Sequence, residues 1–292
     1  MKKLMAKAGV GILTLLLGFT GLAGGQATNA LRVVTFNIRF DNPKDSPNHW
    51  QARKDYVTSQ LLFHQADLAG IQEALHNQVV DMQQAMPHFG FVGVGRDDGQ
   101  QAGEYSGIFY NKQRLQLLKH NTFWLSLTPQ VPGSKSWDAA ITRIVTWAQF
   151  KDLKTKKTFF HFNTHFDHIG KEARRQSAKM LLEQIEAIAG NTPTLVTGDF
   201  NATPNDEPIQ VIVEDTNPLR LTNAKAISAT GHYGPAGTFN AFGPRETSNL
   251  PIDYIFVKGG WKVFSHATLS QTWQGRFASD HFAVFAEVAI SR

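Results

Sequence analysis

The 292-residue sequence contains no cysteine. This absence excludes disulfide bonds, thiolate metal ligands and lipid attachment at an N-terminal cysteine. A chain of this length can bury a sufficient core without disulfides. The sequence also lacks a low-complexity linker, a short-period repeat and a second long apolar segment after the one near its start. The length after residue 30 suits one large domain as well as two small ones.

The start of the chain has the pattern of a secretory signal peptide: basic residues, an uncharged apolar run from Val10 to Leu22 and a small-residue end. Gly25-Gln26-Ala27 and Thr28-Asn29-Ala30 both resemble export-peptidase cleavage sites. The alternative is a membrane anchor, but the apolar run is short, because spanning a bilayer takes about 20 apolar residues. We therefore expect residues 1–30 to be a signal peptide and residues 31–292 to form a domain in the periplasm or the medium.

The positive charge is small once this leader is set aside. The whole chain has a formal charge of +5, from 29 Lys and Arg against 24 Asp and Glu. The leader contributes three lysines and no acid, so residues 31–292 carry 26 minus 24, or +2. A general nucleic-acid-binding protein is expected to show a strongly basic stripe. The charge balance therefore says little in favour of DNA binding.

Apolar segments rich in β-branched and aromatic residues alternate with amphipathic ones along the chain. Several neighbouring strands mixed with flanking helices favour two packed sheets with helices outside, an α/β sandwich. Residues 228–250, rich in Gly, Pro, Asn and Ser, predict a surface loop, and loops of this length are often part of a binding site. The predicted strands are 31–38, 67–72, 89–94, 105–111, 115–125, 142–150, 158–164, 194–197, 252–257, 261–270 and 281–290, and the predicted helices are 52–64, 75–86, 171–189 and 208–213.

Polar residues that could act in catalysis or bind a metal lie where apolar strands end or begin. Each one alone has an ordinary interpretation: a turn residue, an acid at a helix start or a hydrogen-bonded structural histidine. Those interpretations do not explain why acids, amides and imidazoles all occupy the same structural position. In two packed sheets the strand ends converge, so we expect one site formed by Asn37, Glu73, His165 with Asp167, Asp199 with Asn201, Asp253, and Asp280 with His281.

Taken in order, these segments resemble the endonuclease/exonuclease/phosphatase superfamily, whose members are four-layered αββα sandwich enzymes. The ordered set spans nearly the whole chain after the leader: Thr35-Phe36-Asn37, Ile71-Gln72-Glu73, Asn163-Thr164-His165-Phe166-Asp167, Gly198-Asp199-Phe200-Asn201, Ile252-Asp253-Tyr254-Ile255 and Ser279-Asp280-His281. Residues 133–138 with Thr142-Arg143 are similar to an exported bacterial branch of this superfamily. The resemblance implies a four-layer sandwich that hydrolyses phosphate esters.

The resemblance also implies a metal site. It assigns the principal divalent ion to Asn37 and Glu73, with Asp280 nearby. Carboxylate and amide oxygens without any thiolate favour a hard cation, so the expected cofactor is Mg²⁺ or Mn²⁺.

The remaining roles follow from the same resemblance. Asp199 is expected to orient or deprotonate the attacking water, and Asn201 to bind phosphate or a second ion. His281 is expected to contact the phosphoryl oxygens, with Asp253 fixing its tautomer. His165 is expected to stabilise charge that develops on the phosphoryl group.

Two positions depart from the DNA-repair apurinic endonucleases of the superfamily. Those enzymes carry an acid two residues after the first Asn, where this chain has Arg39. They also use Tyr where this chain has His165, and a histidine at that position is shared with sphingomyelinases, inositol polyphosphate phosphatases and deadenylases. Both departures, like the predicted export, argue against DNA repair.

Candidate substrate contacts lie beside these segments. Arg143 and Arg174, or its neighbour Arg175, are candidates to grip a substrate phosphate, because a guanidinium fork matches phosphate oxygens. Asp167 joins them as a candidate through its place in the His165 segment. For Arg174 and Arg175, at a helix start, surface salt bridging is an alternative.

The sequence therefore predicts an exported, metal-dependent phosphoesterase that uses an activated water. The expected partner is a phosphorylated substrate (small molecule, lipid headgroup or nucleic acid), with no stable protein partner and a monomeric state. The alternative is a non-catalytic surface binding module, whose expected mark is loss of Glu73, Asp199 or His281; all three are present. A glycosidase is a third class, but it leaves the amides and histidines of the site without a purpose.

Overall fold

A computed structural model of the protein describes residues 29–243 and 249–291. Residues 1–28, which include nearly all of the predicted signal peptide, lie outside the described residues. Within the described part of the chain, no helix is both long enough and apolar enough to cross a membrane.

The described residues form twelve strands, four helices and one 3₁₀ turn. The helices are α1 (Trp50–Phe63), α2 (His76–Ala85), α3 (Lys171–Ala189) and α4 (Glu207–Val213), and the 3₁₀ turn covers Ala224–Ile227. The strands are β1 (Leu31–Asn37), β2 (Leu68–Ala74), β3 (Phe89–Val92), β4 (Tyr105–Asn111), β5 (Leu115–Trp124), β6 (Ile144–Asp152), β7 (Thr158–His165), β8 (Thr194–Asp199), β9 (Thr222–Asn223), β10 (Asp253–Lys258), β11 (Trp261–Leu269) and β12 (Ala283–Ile290).

The strands form two six-stranded sheets, with orders β11-β12-β1-β2-β4-β3 and β5-β6-β7-β8-β10-β9. Each sheet contains one parallel pair, β1 with β2 in the first and β7 with β8 in the second. The other strand pairs are antiparallel. Both sheets are therefore mixed, and each has its parallel pair at the centre.

Alternation along the strands divides the apolar residues into three layers. On β1, Val33 joins the core between the two sheets, whereas Val34 and Phe36 join the core beneath α1 and α2. A third core packs α3 and α4 on the outer face of the second sheet. Two packed mixed sheets flanked by four helices confirm the predicted αββα sandwich.

Helix α3 shows how the sequence builds an outer layer. Its buried positions include Ala178, Leu181, Leu182 and Ile185, which recur at helical spacing and face the second sheet. The helix ends at Ala189, and the next residue, Gly190, has a φ of 53°, a left-handed value that glycine adopts without steric cost.

A buried polar layer crosses the space between the sheets near the carboxyl ends of β2 and β7. The Asn163 amide donates to two backbone carbonyls of the facing sheet at 2.8 Å each. Its Oδ1 accepts hydrogen bonds from Gln72 Nε2 at 2.7 Å and from Thr197 Oγ1 at 2.9 Å. Gly70 makes this close approach possible, because a Cβ there would lie 2.1 Å from Thr197 Oγ1 and 2.4 Å from Asn163 Oδ1.

The predicted surface loop, residues 228–250, runs beside β11 with single-residue bridges to it at Ser228 and Tyr233. Its end turns inward: Thr238 and Asn240 are buried, and Phe239 bridges to His281. Residues 244–248 of this segment lie outside the described residues. The loop therefore reaches the strand ends where the predicted site residues converge.

Candidate active site

The pairing of the strands brings the predicted site residues to one edge of the sandwich. Parallel pairing places Asn37 opposite Gln72, next to Glu73, in the first sheet, and His165 opposite Asp199 in the second. Antiparallel pairing places Asp253, the first residue of β10, opposite Asp199 as well. The first sheet supplies Asn37 and Glu73, with His281 two residues before its strand β12, and the second sheet supplies His165, Asp199 and Asp253.

Asn37 is at the centre of the cluster. Its Nδ2 lies 3.0 Å from Glu73 Oε1, 2.9 Å from Asp199 Oδ2 and 3.5 Å from His281 Nε2. Its Oδ1 accepts a hydrogen bond from the Arg39 backbone N–H at 3.0 Å. The amide donor thus lies between two carboxylates, in a place where a cation would also be stabilised.

Glu73 is presented by an irregular backbone. Its φ is 64°, and the pairing of β2 with β4 shifts register between Ile71 and Ala74. A left-handed conformation in a residue other than glycine costs about 1–3 kcal/mol and persists where the surroundings hold it. The Phe40 backbone N–H, 3.2 Å from Glu73 Oε2, is one of those contacts. This bulge turns the Glu73 carboxylate toward Asn37.

His281 and Asp253 form a buried carboxylate–imidazole pair, with His281 Nδ1 2.9 Å from Asp253 Oδ2. Burial disfavours the charged imidazole, but the Asp253 and Asp199 carboxylates outweigh that effect and raise the pKa of His281 well above its ordinary value. His281 is therefore an imidazolium at neutral pH. Its Nε2, 3.8 Å from Asp199 Oδ2, is the nitrogen directed into the cluster.

Asp199 has a weakened acidity. Burial and the nearby Asp253 carboxylate raise the pKa of Asp199 to about 7, although His281 and the Asn37 hydrogen bond act in the opposite direction. Its Oδ1 accepts from the Asn201 backbone N–H at 2.9 Å, and its Oδ2 faces the rest of the cluster. A carboxyl group with a pKa near neutrality is suited to general base chemistry.

His165 has the opposite charge state from His281. Burial, followed by the positive charges of Arg143 and Arg96, lowers the pKa of His165 well below 6.5. Its Nε2 lies 3.0 Å from Asn201 Nδ2 and 3.4 Å from Asp199 Oδ2. The site therefore combines a neutral imidazole and a charged imidazolium on either side of one carboxyl group.

The three predicted substrate contacts occupy different surroundings. Arg143 is buried next to His165, with Nε 3.7 Å from Asp167 Oδ2. Arg174 lies further along and donates from Nη1 to the Asp167 carbonyl at 2.9 Å. The Asp167 carboxylate accepts four backbone N–H donors, which fixes the loops around it; they belong to Ala140, Ile141, Ile169 and Gly170. Substrate contact by these three side chains stays a prediction.

Asp280 and Arg39 form the outer rim on the Glu73 side. Arg39 Nε lies 2.7 Å from Asp45 Oδ2 and 3.7 Å from Asp280 Oδ2, and Arg39 Nη1 lies 3.8 Å from Glu73 Oε2. Ser279 Oγ donates to the Asn37 carbonyl at 2.7 Å and so ties the Asp280 segment to β1. The position that carries an acid in apurinic endonucleases is thus a guanidinium that contacts the acids of the site.

Sequence reasoning missed three residues that the structure brings to the site. Arg96 and Glu104 pair at 2.6 Å beside His165, and both come from a turn-rich segment that carries no signal on its own. Arg53, in the helix α1, donates to the carbonyls of Asn48 at 2.9 Å and Ala278 at 3.2 Å and so holds two loops together. For Arg53 the sequence did contain a signal, because a basic residue on the apolar face of a helix indicates a buried, hydrogen-bonded side chain.

The residues present fit a hard divalent cation. Glu73, Asp199, Asp253 and Asp280 place four carboxylates in one largely buried region, and the Asp253 Oδ1 oxygen is buried without a hydrogen-bond partner among the described residues. Burial, with a smaller contribution from the Glu73 charge, raises the pKa of Asp280 although His281 and Arg39 act in the opposite direction. Carboxylate oxygens of Asp199 and Asp253 lie within 4.8 Å of each other and of a His281 ring nitrogen. Asn37 would join a metal site through Oδ1 if its amide took the reverse orientation.

A two-sheet α/β sandwich with acids, amides and imidazoles at one edge of strand ends defines a class of hydrolases that act on phosphate esters. Within this class the chain belongs to the endonuclease/exonuclease/phosphatase family, whose family model matches residues 34–281. The resemblance seen in the sequence is therefore confirmed.

Three comparisons show how this chain relates to others. The crystal structure of the endonuclease/exonuclease/phosphatase from Bacteroides vulgatus is 42% identical, with a TM-score of 0.85 over 90% of this chain and 100% of that chain. A mannosyl-6-phosphatase from Bacteroides thetaiotaomicron is 36% identical, with a TM-score of 0.84 over 89% of this chain and 99% of that chain. A protein of Acanthamoeba polyphaga mimivirus is 26% identical over 250 residues, and the match covers 72% of this chain but 35% of that relative's length.

Proposed function

We propose that this protein is an exported phosphoesterase that depends on Mg²⁺ or Mn²⁺ and hydrolyses its substrate by attack of an activated water. The observation that carries the proposal is the arrangement around Asp199. A carboxyl group with a pKa raised to about 7 lies between neutral His165 and charged His281, with Asn37 donating to it at 2.9 Å.

The metal would be held by Glu73, Asn37 and Asp280, with Asp199 and His281 close by, and would supply Lewis-acid stabilisation of the negative charge on the phosphoryl oxygens. The protein's own groups do the rest. Asp199 Oδ2 faces the cluster and accepts the proton of the attacking water.

The two histidines have different roles. His281 Nε2–H, kept charged by Asp253, donates to a phosphoryl oxygen as negative charge develops there. Asn201 holds His165 at 3.0 Å, and the buried His165 orients the phosphoryl group without adding charge of its own.

A small-molecule or lipid phosphoester suits this chain better than DNA. Residues 31–292 carry a formal charge of 26 minus 24, or +2, and such a small charge does not attract a polyanion such as DNA strongly. Arg39 stands where DNA-repair enzymes of the family carry an acid. The relative described as a mannosyl-6-phosphatase supports a phosphorylated sugar as one candidate.

The direct test is turnover of 4-nitrophenyl phosphate and bis(4-nitrophenyl) phosphate by the purified protein. We expect activity with Mg²⁺ or Mn²⁺ and its loss in EDTA. His165→Ala should lower kcat by roughly 10²-fold or more, because the phosphoryl group loses the imidazole that orients it. His120→Ala, on the exposed part of β5, is the matched control and should be unchanged. Full activity after thorough metal removal would exclude the mechanism, and inactivity with every divalent ion would favour the non-catalytic binding module.

Export has its own test. The proposal predicts that protein recovered from the periplasm or the medium begins after Ala27 or Ala30, which intact-mass measurement would show. Recovery of the uncut chain in the cytoplasm only would contradict it.

A further inference from the structure

Arg39 lies next to two of the acids that the proposed function assigns to the metal. Arg39 Nη1 lies 3.8 Å from Glu73 Oε2, and Arg39 Nε lies 3.7 Å from Asp280 Oδ2. These separations are those of ion pairs and are longer than direct hydrogen bonds. A positive charge that belongs to the protein is therefore beside both acids, and the proposed mechanism does not use it.

The backbone presents Arg39 in an unusual conformation. Its φ is 57°, a left-handed value that persists in a residue other than glycine only where the surroundings hold it. The Arg39 N–H donates to Asn37 Oδ1 at 3.0 Å. The Arg39 carbonyl accepts hydrogen bonds from Arg53 Nη2 at 2.6 Å and from Gln78 Nε2 at 2.9 Å. Hydrogen bonds on both sides of the residue therefore hold this conformation.

The side chain of Arg39 is held as well as its backbone. It donates from Nε to Asp45 Oδ2 at 2.7 Å and from Nη2 to Asp45 Oδ1 at 3.1 Å, a bidentate contact with one carboxylate. The guanidinium carbon also lies 4.5 Å from the centre of the Phe40 ring. Asp45 therefore anchors the guanidinium group at the place where it contacts Glu73 and Asp280.

The other arginine close to this rim does not share these contacts. Arg53 donates to the carbonyls of Asn48, Arg39 and Ala278, and it pairs with no carboxylate within residues 29–243 and 249–291. Glu73 and Asp280 thus share the guanidinium group of Arg39. A divalent ion that used the same two acids as ligands would lie beside that positive charge.

We infer that Arg39 is a cation of the protein that competes with the divalent ion for Glu73 and Asp280. It stabilises the two acids while the metal is absent, and it lowers the affinity of the site for the ion. This inference rests on the proposed function, which requires that ion. Arg39 is thus a residue that sets metal affinity without being a metal ligand.

A purely structural role for Arg39 makes a different prediction. If Arg39 only anchored the neighbouring loop through Asp45, its removal would loosen that loop and would weaken metal binding or leave it unchanged. If Arg39 competes with the ion, its removal strengthens metal binding although it destabilises the metal-free protein. The sign of the change in metal affinity therefore separates the two roles.

The first measurement is titration of the metal-free protein with Mn²⁺ by isothermal titration calorimetry. Repulsion between a unit charge and a divalent ion that share two ligands is worth roughly 10-fold in affinity even at the dielectric constant of water. Arg39→Gln should therefore lower the Kd for Mn²⁺ by about 10-fold or more. Arg39→Lys keeps the charge, and its Kd should stay within about 3-fold of the wild-type value.

Arg32→Gln is the matched control for the loss of one charge. The Arg32 side chain is 23% exposed, against 24% for Arg39, and it pairs with Glu287 at 3.3 Å. Arg32 lies at the opposite end of β1 from Asn37. Screening by salt makes its charge irrelevant at that distance, so the Kd for Mn²⁺ should change by less than about 2-fold.

The second measurement is thermal unfolding in EDTA and in saturating Mn²⁺, which requires no turnover. In EDTA, Arg39→Gln should melt at a lower temperature than the wild type, because Glu73 and Asp280 lose the cation that they share. Saturating Mn²⁺ should narrow this difference, since the variant binds the ion more tightly. Arg39→Met, which keeps the apolar stem of the side chain, is a second neutral replacement if Arg39→Gln does not fold.

The outcomes separate this inference from the proposed function. An unchanged or higher Kd in Arg39→Gln, an Arg39→Lys variant that behaves like Arg39→Gln, or a difference in melting temperature that Mn²⁺ does not alter would overturn the inference alone. A wild type that binds no Mn²⁺ and hydrolyses its substrates in EDTA would refute both. A wild type that binds Mn²⁺ but hydrolyses no phosphate ester would refute the proposed function, and the titrations would still decide the inference.

Discussion

The polar layer between the two sheets gives the sharpest prediction about stability, at Gly70. An alanine Cβ there would lie 2.1 Å from Thr197 Oγ1 and 2.4 Å from Asn163 Oδ1, far inside the contact distance of carbon and oxygen. Neither oxygen is at the end of a flexible chain, because Thr197 Oγ1 donates to Asn163 Oδ1 at 2.9 Å and Asn163 Nδ2 is bonded to the facing sheet. Something in this layer must therefore move.

The expected cost follows from those contacts. Forcing one extra carbon into a packed interior costs about 1–3 kcal/mol. Displacing Thr197 or Asn163 leaves a buried polar group unpaired, which adds about 1–3 kcal/mol. Gly70→Ala should thus destabilise the protein by about 2–6 kcal/mol, a large part of the roughly 5–15 kcal/mol that holds a domain together. At roughly 2–4 °C per kcal/mol, the melting temperature should fall by about 4–24 °C.

The assay is thermal and urea unfolding of Gly70→Ala beside Gly231→Ala, where an added Cβ meets nothing within 4 Å. The control should change stability by less than about 0.5 kcal/mol. In a Thr197→Ala background, where the nearest oxygen is absent, Gly70→Ala should cost less, with a coupling of about 0.5–3 kcal/mol. A Gly70→Ala protein within about 1 kcal/mol of the wild type would refute this account of the layer.

Three further predictions concern titrating groups. Asp253→Asn removes the carboxylate that raises the pKa of His281, so kcat/KM should fall roughly 10- to 100-fold at pH 8 and less at pH 6, where His281 is protonated more readily; equal losses at both pH values would contradict this. Asp199→Asn should nearly abolish turnover, and in EDTA its melting temperature should rise relative to that of the wild type as pH increases from about 4 to about 7. The pKa of Asp199 is raised from 3.8 to about 7, so over that interval the unfolded carboxyl is ionised while the folded one keeps its proton, and the wild type loses stability that the asparagine variant does not; a difference that is independent of pH would refute the assignment. Burial lowers the pKa of His161 to about 3, so the folded state rejects a proton that the unfolded chain takes up below about pH 6.5, and stability falls with decreasing pH by about 1.4 kcal/mol per unit. His161→Gln should reduce that slope between pH 6 and 4 in urea unfolding, and an unchanged slope would show that His161 does not carry it.

Most of the fold was predictable because the apolar periodicity is strong. The strand Tyr105–Asn111 and the helix Lys171–Ala189 have the bounds that their sequence patterns predict. The short strand Thr222–Asn223 was missed because two residues give no periodicity; it exists only through its pairing with Val257 and Phe256. Residues 281 and 282 were assigned to the last strand, but in the structure β12 begins at Ala283 because His281 instead bridges to Phe239.

The candidate site was predictable in its membership and not in its electrostatics. The ends of the strands converge whatever the details of packing, so the sequence places Asn37, Glu73 and Asp199 together. Opposite charge states for His165 and His281 depend on which charges lie nearby after folding, and those come from distant segments. The same reason hides Arg96 in the sequence, because only folding brings it beside His165 and Arg143.

The equal contribution of the two sheets to the cluster has a consequence for how the protein responds to its ligands. Asn37, Glu73 and His281 belong to one half of the sandwich, and His165, Asp199 and Asp253 belong to the other. An ion or phosphate that contacted both sets of residues would link the two sheets, so the sheets could separate only after it was released. By mass action, a ligand at 100 times its Kd adds about 2.7 kcal/mol to the free energy of unfolding of the whole domain. Occupancy of the site would therefore also stabilise the packing of the two sheets at positions far from the strand ends.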